Sequence, residues 1–309
     1  MYLPTLRQLE YLVAVVDLHH FGHAAERCHA TQSTLSAGLR ELETLLQAEL
    51  VERTRRSVKP TPLGIEIADK ARDVLAGARD IAETASAAGQ PLSGRMRLGV
   101  IPTIGPFVLP RVLGGLREAY PDLKLYLKEG QTAVVLEQLT RGDLEAAIIA
   151  LPYDIGKFES MVLGNDPFWV ALPKGHKLAR KKSLKPEDLP ADELLLLEDG
   201  HCLRDHALSA CALSNVKSAG DFEATNLYTL SEMVANGLGV TFLPDIALTS
   251  GMLNTDAIEL RPLKTETAPR QIALVWRTSF KRDADIAALG AYLRGRMAGL
   301  RVSNRKGTG

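Results

Sequence analysis

The chain lacks most of what would place it outside the cell or in a membrane. Its 309 residues include three cysteines, Cys28, Cys202 and Cys211. No apolar run approaches the roughly 18 residues of a membrane span. The start, Met1-Tyr2-Leu3-Pro4-Thr5-Leu6-Arg7, has neither the basic opening nor the apolar core of a secretory signal. A cytoplasmic protein with no membrane partner is therefore expected. Three cysteines in a reducing compartment argue against a structural disulfide framework, and a disulfide there would be transient and redox-sensing. Net charge is also absent: 37 Lys and Arg balance 37 Asp and Glu, so charge alone points to no nucleic acid or acidic partner. No metal and no cofactor is expected. What is present is a 46% hydrophobic chain, globular and long enough for two or three domains.

The stretch Leu194-Leu195-Leu196-Leu197-Glu198-Asp199-Gly200-His201-Cys202 joins a short apolar run, expected to be a buried strand, to a turn signal at Asp199-Gly200. From Cys202 the apolar positions Leu203, Ala207, Leu208, Ala210 and Cys211 fit a helix. Cys202 at its N-terminus would meet free N–H groups and the helix dipole, which lower a thiol pKa below its usual ~8.5. Cys211 lies nine positions on, a rise of about 13 Å along a helix, whereas a disulfide needs Cα atoms within about 7 Å. The segment can be helical or cross-linked, but not both. Peroxide oxidation of Cys202 to a sulfenic acid would leave Cys211 to resolve it, with local unwinding. Two buried structural cysteines are the plainer alternative.

In the N-terminal part, Leu6, Leu9, Leu12, Val13 and Val16 predict a first helix. A break over 17–22 precedes a short helix, His23–Cys28, and a turn over Ala30-Thr31-Gln32 precedes a third helix from Ser33. Leu35, Leu39, Leu42 and Leu46 share one face of that helix. Gln32, Ser33, Thr34, Ser36 and Arg40 lie around its start, as a recognition helix in a DNA major groove requires. A plain helical hairpin with a solvated face would look similar. Next, Arg53, Arg55, Arg56 and Lys59 cluster in an expected hairpin, or wing, able to touch phosphates. Thr61-Pro62 opens a helix to about Ala88, roughly 40 Å long. Ile67, Ala71, Val74, Ala78, Ile81 and Ala85 repeat along it at four–three spacing, a seam suited to dimerisation; the competing expectation is that this stripe packs on its own domain.

The segments Ala24-Ala25, Gln32-Ser33-Thr34-Leu35-Ser36, Leu39-Arg40-Glu41-Leu42-Glu43, Leu50-Val51-Glu52-Arg53 and Thr61-Pro62-Leu63-Gly64 closely resemble LysR-type transcriptional regulators. The resemblance covers the whole chain, although this family commonly has proline where this chain has Ser33. It implies an N-terminal all-α winged helix-turn-helix, a long linker helix and a C-terminal α/β effector domain of two lobes, like periplasmic binding proteins. The expected boundaries are 1–60 for the DNA-binding domain, 61–90 for the linker and dimerisation helix, 91–302 for the regulatory domain and 303–309 for a tail. Lobe I is expected over about 91–163 and 269–302, lobe II over about 164–268. Implied partners are double-stranded operator DNA, further copies of the chain as homodimer or homotetramer, and RNA polymerase, in a nucleoid-associated cytoplasmic protein.

After the hinge Gly89–Gly94, strands are predicted over 95–101, 123–128 and 144–150, with helices over 107–120 and 132–141, in parallel α/β order. Pro167–Pro173 opens a second set, with a helix around Asn226–Asn236 and a strand over Gly239–Leu243. Gln271–Arg277 looks like a strand returning to the first half, and a helix from Asp283 to about Met297 ends the fold. Ligands in such sheets bind beyond the C-terminal strand ends. Thr103, Thr132 and Cys202 each follow a strand, so they should converge on one cleft.

Glu198-Asp199-Gly200-His201-Cys202-Leu203-Arg204-Asp205 with Cys211, Ile101-Pro102-Thr103-Ile104-Gly105-Pro106 and Ala224-Thr225 resemble the OxyR branch of the family, the hydrogen-peroxide sensors. Carried over by that resemblance, Cys202 is the peroxidatic and Cys211 the resolving cysteine. Thr103, Thr132 and His201 hydrogen-bond peroxide, and Arg270 stabilises the thiolate. Some relatives carry histidine where this chain has Asp221. Cys28 is expected to be a small buried group. Two rivals remain: a LysR-type regulator answering a small organic effector, with incidental cysteines, and a thiol peroxidase enzyme, which a DNA-binding module ahead of the thiol disfavours.

Overall fold

The structure, a computed structural model, describes residues 3–53, 58–86, 90–211 and 224–299. The chain divides into two compact units, residues 1–88 with 140–143 and 279–282, and the remainder.

The first unit holds helices α1 (Leu6–Leu18), α2 (Phe21–Arg27) and α3 (Gln32–Leu46), strands β1 (Val51–Arg53) and β2 (Val58–Pro60), and the 25-residue α4 (Pro62–Ser86). Caps set these boundaries. The Thr31 hydroxyl accepts the Thr34 N–H at 3.2 Å, so α3 begins one residue before the expected Ser33. His20 Nδ1 accepts the N–H groups of Gly22 and His23, which moves the start of α2 from the expected His23 to Phe21. The Thr61 hydroxyl accepts the Gly64 N–H at 2.9 Å and opens α4. Leu12, Leu35, Leu39, Leu42 and Leu50 form the core with Ala68, Ala71 and Leu75 of α4. Gly38 lies where a Cβ would come 2.8 Å from the Tyr11 ring. Its helix-propensity cost of about 1 kcal/mol is therefore the condition for this close approach. The Asp17 carboxylate is 2% exposed and accepts from Arg27 and Arg72 at 2.7 Å each, tying α1 to α2 and α4. Strands β1 and β2 pair antiparallel, as the expected hairpin requires.

The second unit begins with β3 (Gly94–Val100), α5 (Gly105–Ala119), β4 (Leu123–Glu129), α6 (Thr132–Arg141), β5 (Ala146–Leu151) and β6 (Phe158–Asp166). It continues with β7 (Phe168–Pro173), α7 (Cys202–Ala210), α8 (Leu227–Ala235), β8 (Thr241–Pro244), α9 (Asp245–Thr249) and β9 (Ile258–Pro262), and ends with β10 (Arg270–Arg277) and α10 (Asp283–Ala298). One sheet has the order β4-β3-β5-β10-β6, the other β8-β7-β9. These are the two expected lobes.

The parallel order expected of the first three strands is found: β3 pairs parallel with β4 and β5, while β10, returning from the other lobe, runs antiparallel to β5 and β6. In the second sheet β7 is antiparallel to both neighbours. The run Leu194–Leu197 is buried but forms no strand. Leu194 bridges Val240 and Leu197 bridges Ala224, two different segments met at one residue each. In the first sheet β6 runs to Asp166 and β10 begins at Arg270.

Candidate functional site

In the first unit, α3 turns Leu35, Leu39 and Leu42 inward, while Gln32, Ser33, Thr34 and Arg40 are exposed and Ser36 is half-buried. Short polar groups therefore line the outer side of its first turns, followed by one long cation. Lys59 is exposed on β2. Arg53 ends β1, and Arg55 and Arg56 lie outside the described residues.

The α4 stripe does not behave as one seam. Ala71 is buried in the unit's own core and Ile67 packs against that core, because α4 lies on the inner helices through this turn. Ala71 is thus corrected from a dimerisation position to a core position. Ala78 is half-buried, whereas Val74 and Ile81 are 50% and 74% exposed.

The second unit gathers the sulfur site. Gly200 turns the chain with a φ of 92°, and a Cβ there would come 2.7 Å from the Gln131 side chain, beside Thr132. The turn delivers Cys202 to the first position of α7, and Cys211 follows the helix as its C-cap. Both thiols are free and buried. With α7 intact, the two Cα atoms are separated by a rise of about 13 Å. The helix is held at both ends: Arg204 Nη1 donates to the Leu197 carbonyl at 3.0 Å, and the Thr265 hydroxyl donates to the Ala210 carbonyl at 2.8 Å.

Thr103 follows β3, Thr132 opens α6 and Arg270 opens β10; all three side chains are buried. Arg270 Nε lies 3.0 Å from Asp166 Oδ2 across the two crossings between lobes. The N–H does not point along that contact, so the pair is ionic without a well-formed hydrogen bond. Among the described residues, the hydroxyls of Thr103 and Thr132 and both terminal nitrogens of Arg270 have no hydrogen-bond partner. Buried polar atoms are normally paired, so these groups hold unused capacity to donate and accept.

The charges around the thiol oppose one another. Burial pushes the Cys202 thiol above its ordinary pKa; the Arg270 charge, the nearby Thr132 hydroxyl and the residue's own N–H pull it down. Thr132 is near enough to favour the thiolate without the full geometry of a hydrogen bond. The direction is thus opposite to the depression expected of a helix N-terminus, because desolvation outweighs Arg270, Thr132 and the residue's own N–H. Burial, with Glu187 adding to it, pushes Cys211 up to about 12. His201 is buried, with Nε2 3.6 Å from Glu198 Oε1, and makes no side-chain cap on α7. Cys28 is buried among α1 and α2 residues and its thiol faces the Glu10 carbonyl at 3.8 Å, the structural place expected of it.

Sequence reasoning missed Asp166, Arg204, His206 and Tyr153. His206 donates from Nε2 to the Pro152 carbonyl at 2.6 Å, and Tyr153 is near enough to feel the Cys202 charge. Only the helical phase of His206, four positions after Cys202, could have marked it. Beside them opens a cavity of about 1050 Å³ lined by Tyr153, Phe168, His206, Leu263 and Arg270. Among the described residues no group of His, Cys, Asp and Glu could hold a metal, and no helix is long and apolar enough to cross a membrane. Asp221 lies outside the described residues.

Residues 6–65 match the family model described as a bacterial regulatory helix-turn-helix protein of the lysR family, and residues 89–298 match the LysR substrate binding domain. The HTH-type transcriptional regulator EstR of Acinetobacter baylyi is 41% identical over 278 residues, 90% of this chain and 92% of that one. The hydrogen peroxide-inducible genes activator of Dickeya chrysanthemi is 38% identical over 301 residues, 97% of this chain and 95% of that one. Among solved structures, a cysteine-to-aspartate variant of full-length OxyR from Pseudomonas aeruginosa aligns with a TM-score of 0.75 at 37% identity, covering 95% of this chain and 96% of that one.

Proposed function

The chain belongs to the LysR family of bacterial transcriptional regulators, and from that premise we propose that it is a peroxide sensor switched by a disulfide between Cys202 and Cys211. One observation carries this reading. Two free, buried cysteines sit at opposite ends of α7, one of them beside buried groups with unused hydrogen-bonding capacity.

The chemistry takes two steps. The Cys202 thiolate attacks hydrogen peroxide; the O–O bond breaks, an S–O bond forms, and the departing hydroxide takes a proton to become water. Arg270, the Thr103 and Thr132 hydroxyls and the His201 imidazole orient the peroxide and meet the charge on the leaving oxygen. The Cys211 thiol then attacks the sulfenic acid; the S–O bond breaks, the disulfide forms, and a second water leaves. Burial keeps Cys211 protonated and inert while α7 is folded, so the second step waits for unwinding. A single turnover per molecule is a signal, which favours a sensor over a peroxidase.

The switch is read at DNA. Gln32, Ser33, Thr34 and Ser36 face base edges, and Arg40, Arg53, Arg55, Arg56 and Lys59 contact phosphates. The exposed Val74 and Ile81, flanked by Ile67 and Ala78, pair α4 with a second copy, in a homodimer or homotetramer on operator DNA in the cytoplasm, with RNA polymerase as partner. The working units are 1–60, 61–90 and 91–302, with a tail over 303–309. A second reading, a small organic effector, is favoured by the cavity of about 1050 Å³, at the upper limit of small-molecule sites, and by the likeness to EstR.

Counting free thiols after one equivalent of hydrogen peroxide separates the two. The sensor loses two thiols, and the Cys202→Ser variant forms no intramolecular cross-link. Unchanged thiol counts would leave the organic effector as the better reading.

A further inference from the structure

We propose that His206 is a positioning residue that delays the second step of the switch, disulfide closure, without affecting the first. This rests on the peroxide-sensing reading above. His206 follows Cys202 by four residues and so shares its face of α7. Its imidazole is 7% exposed, and Nε2 is 2.6 Å from the Pro152 carbonyl. That carbonyl can only accept, so the proton is on Nε2. Nδ1 is bare, buried and unpartnered among the described residues. Burial and the Arg270 charge both lower the imidazole's pKa, against opposing pulls from Pro152 and Asp205, in keeping with a neutral ring.

The direction of this tie matters. Arg204 and Thr265 fasten α7 to segments on either side of it in the chain. Pro152 follows β5 and belongs to the first lobe, so the His206 bond joins the helix to the opposite lobe. Oxidation of Cys202 requires no movement of α7. Closure does, because the two Cα atoms must come from about 13 Å to within about 7 Å. His206 sits near the middle of the turns that must unwind, and its bond to Pro152 breaks first. The tie therefore lengthens the life of the Cys202 sulfenic acid, during which two cellular thiols can reduce it: the first displaces water to form a mixed disulfide, and the second releases Cys202 as the thiol and leaves as a disulfide with the first. A brief pulse of peroxide is then erased, and a sustained one is recorded.

The test uses the full chain as wild type, His206→Ala and His206→Gln, each with and without Cys211→Ser. In the Cys211→Ser background, trapping the sulfenic acid with a 1,3-dione reads the first step. With Cys211 present, loss of the second thiol reads closure. Loss of one buried hydrogen bond is expected to speed closure of His206→Ala about five- to tenfold and leave the first step within about twofold. His206→Gln, whose amide can donate to the same carbonyl, returns closure toward the wild-type rate. Should His206→Ala not fold, His206→Asn, too short to reach the carbonyl, carries the same expectation. Closure no faster in these variants, or both steps shifting together, overturns the role of His206. A wild type that never loses its second thiol overturns the sensing reading as well.

Discussion

Removing one charge from the Asp166–Arg270 pair should destabilise the regulatory unit by an amount that depends on which partner is lost. Both side chains are 1% exposed and their charged atoms are 3.0 Å apart. At an effective dielectric constant near 20 the attraction is about 5.5 kcal/mol, most of it offset by desolvation of two charges. Asp166→Ala leaves a buried guanidinium that cannot shed its proton, and a loss of about 3–5 kcal/mol is expected. For a unit of this size that lowers the melting temperature by roughly 6–20 °C. Arg270→Leu leaves a carboxyl that can become neutral. Burial already holds the Asp166 pKa above its ordinary value, against Arg270 and the Ile246 N–H, and losing Arg270 raises it further. A carboxyl with a raised folded pKa stabilises most below its unfolded pKa, and that stability is lost as pH rises through the folded value. Arg270→Leu should therefore recover stability as pH is lowered from neutral, more than wild type does, while Asp166→Ala should not. Urea unfolding followed by the fluorescence of Trp169 and Trp276, at neutral and at mildly acidic pH, reads this directly. Equal losses in both variants at both pH values would refute the asymmetry.

Further outcomes are expected elsewhere. Because burial holds the Cys202 thiol high, its reaction with peroxide should accelerate toward tenfold per pH unit from neutral into the alkaline range, and Thr132→Val should slow it severalfold at pH 7; stopped-flow thiol consumption checks both, and a flat profile would mean the thiolate is already formed. Arg55→Ala or Arg56→Ala should weaken DNA binding at all sequences and reduce the salt slope by about one; an effect confined to one operator would show the wing reading bases. Gly38→Ala should destabilise the first unit by about 1–3 kcal/mol through its clash with Tyr11 at 2.8 Å, measured by thermal unfolding, whereas a stabilised variant would show that α1 and α3 can separate freely.

Much of this architecture was legible because its signals are local. Thr61 caps α4 with its own hydroxyl, the leucines of α3 repeat on one face, and α6 and α7 begin at Thr132 and Cys202 as their sequences suggest. β6 and β9 carry polar residues between their apolar ones and gave no clear period. Leu194–Leu197 read as a strand because burial and strand pairing produce the same apolar run, and the tertiary contacts supply only single bridges. Ala71 shows the same ambiguity, since a small residue in a stripe suits a partner helix and its own core equally. For the site, Cys202, Thr103, Thr132 and Arg270 were each nameable, but the Arg270–Asp166 pair spans more than a hundred residues and no local pattern reveals it. The direction of the Cys202 shift depended on how deeply the helix start is buried, a quantity that spacing does not contain.

Hydrogen exchange across α7, before and after one equivalent of peroxide, tests the switch most directly. The N–H groups of this helix should be protected while both thiols are free and lose that protection once Cys202 and Cys211 are joined. Protection retained in a protein shown to carry the disulfide would contradict the account, since the helix and the bond could then coexist.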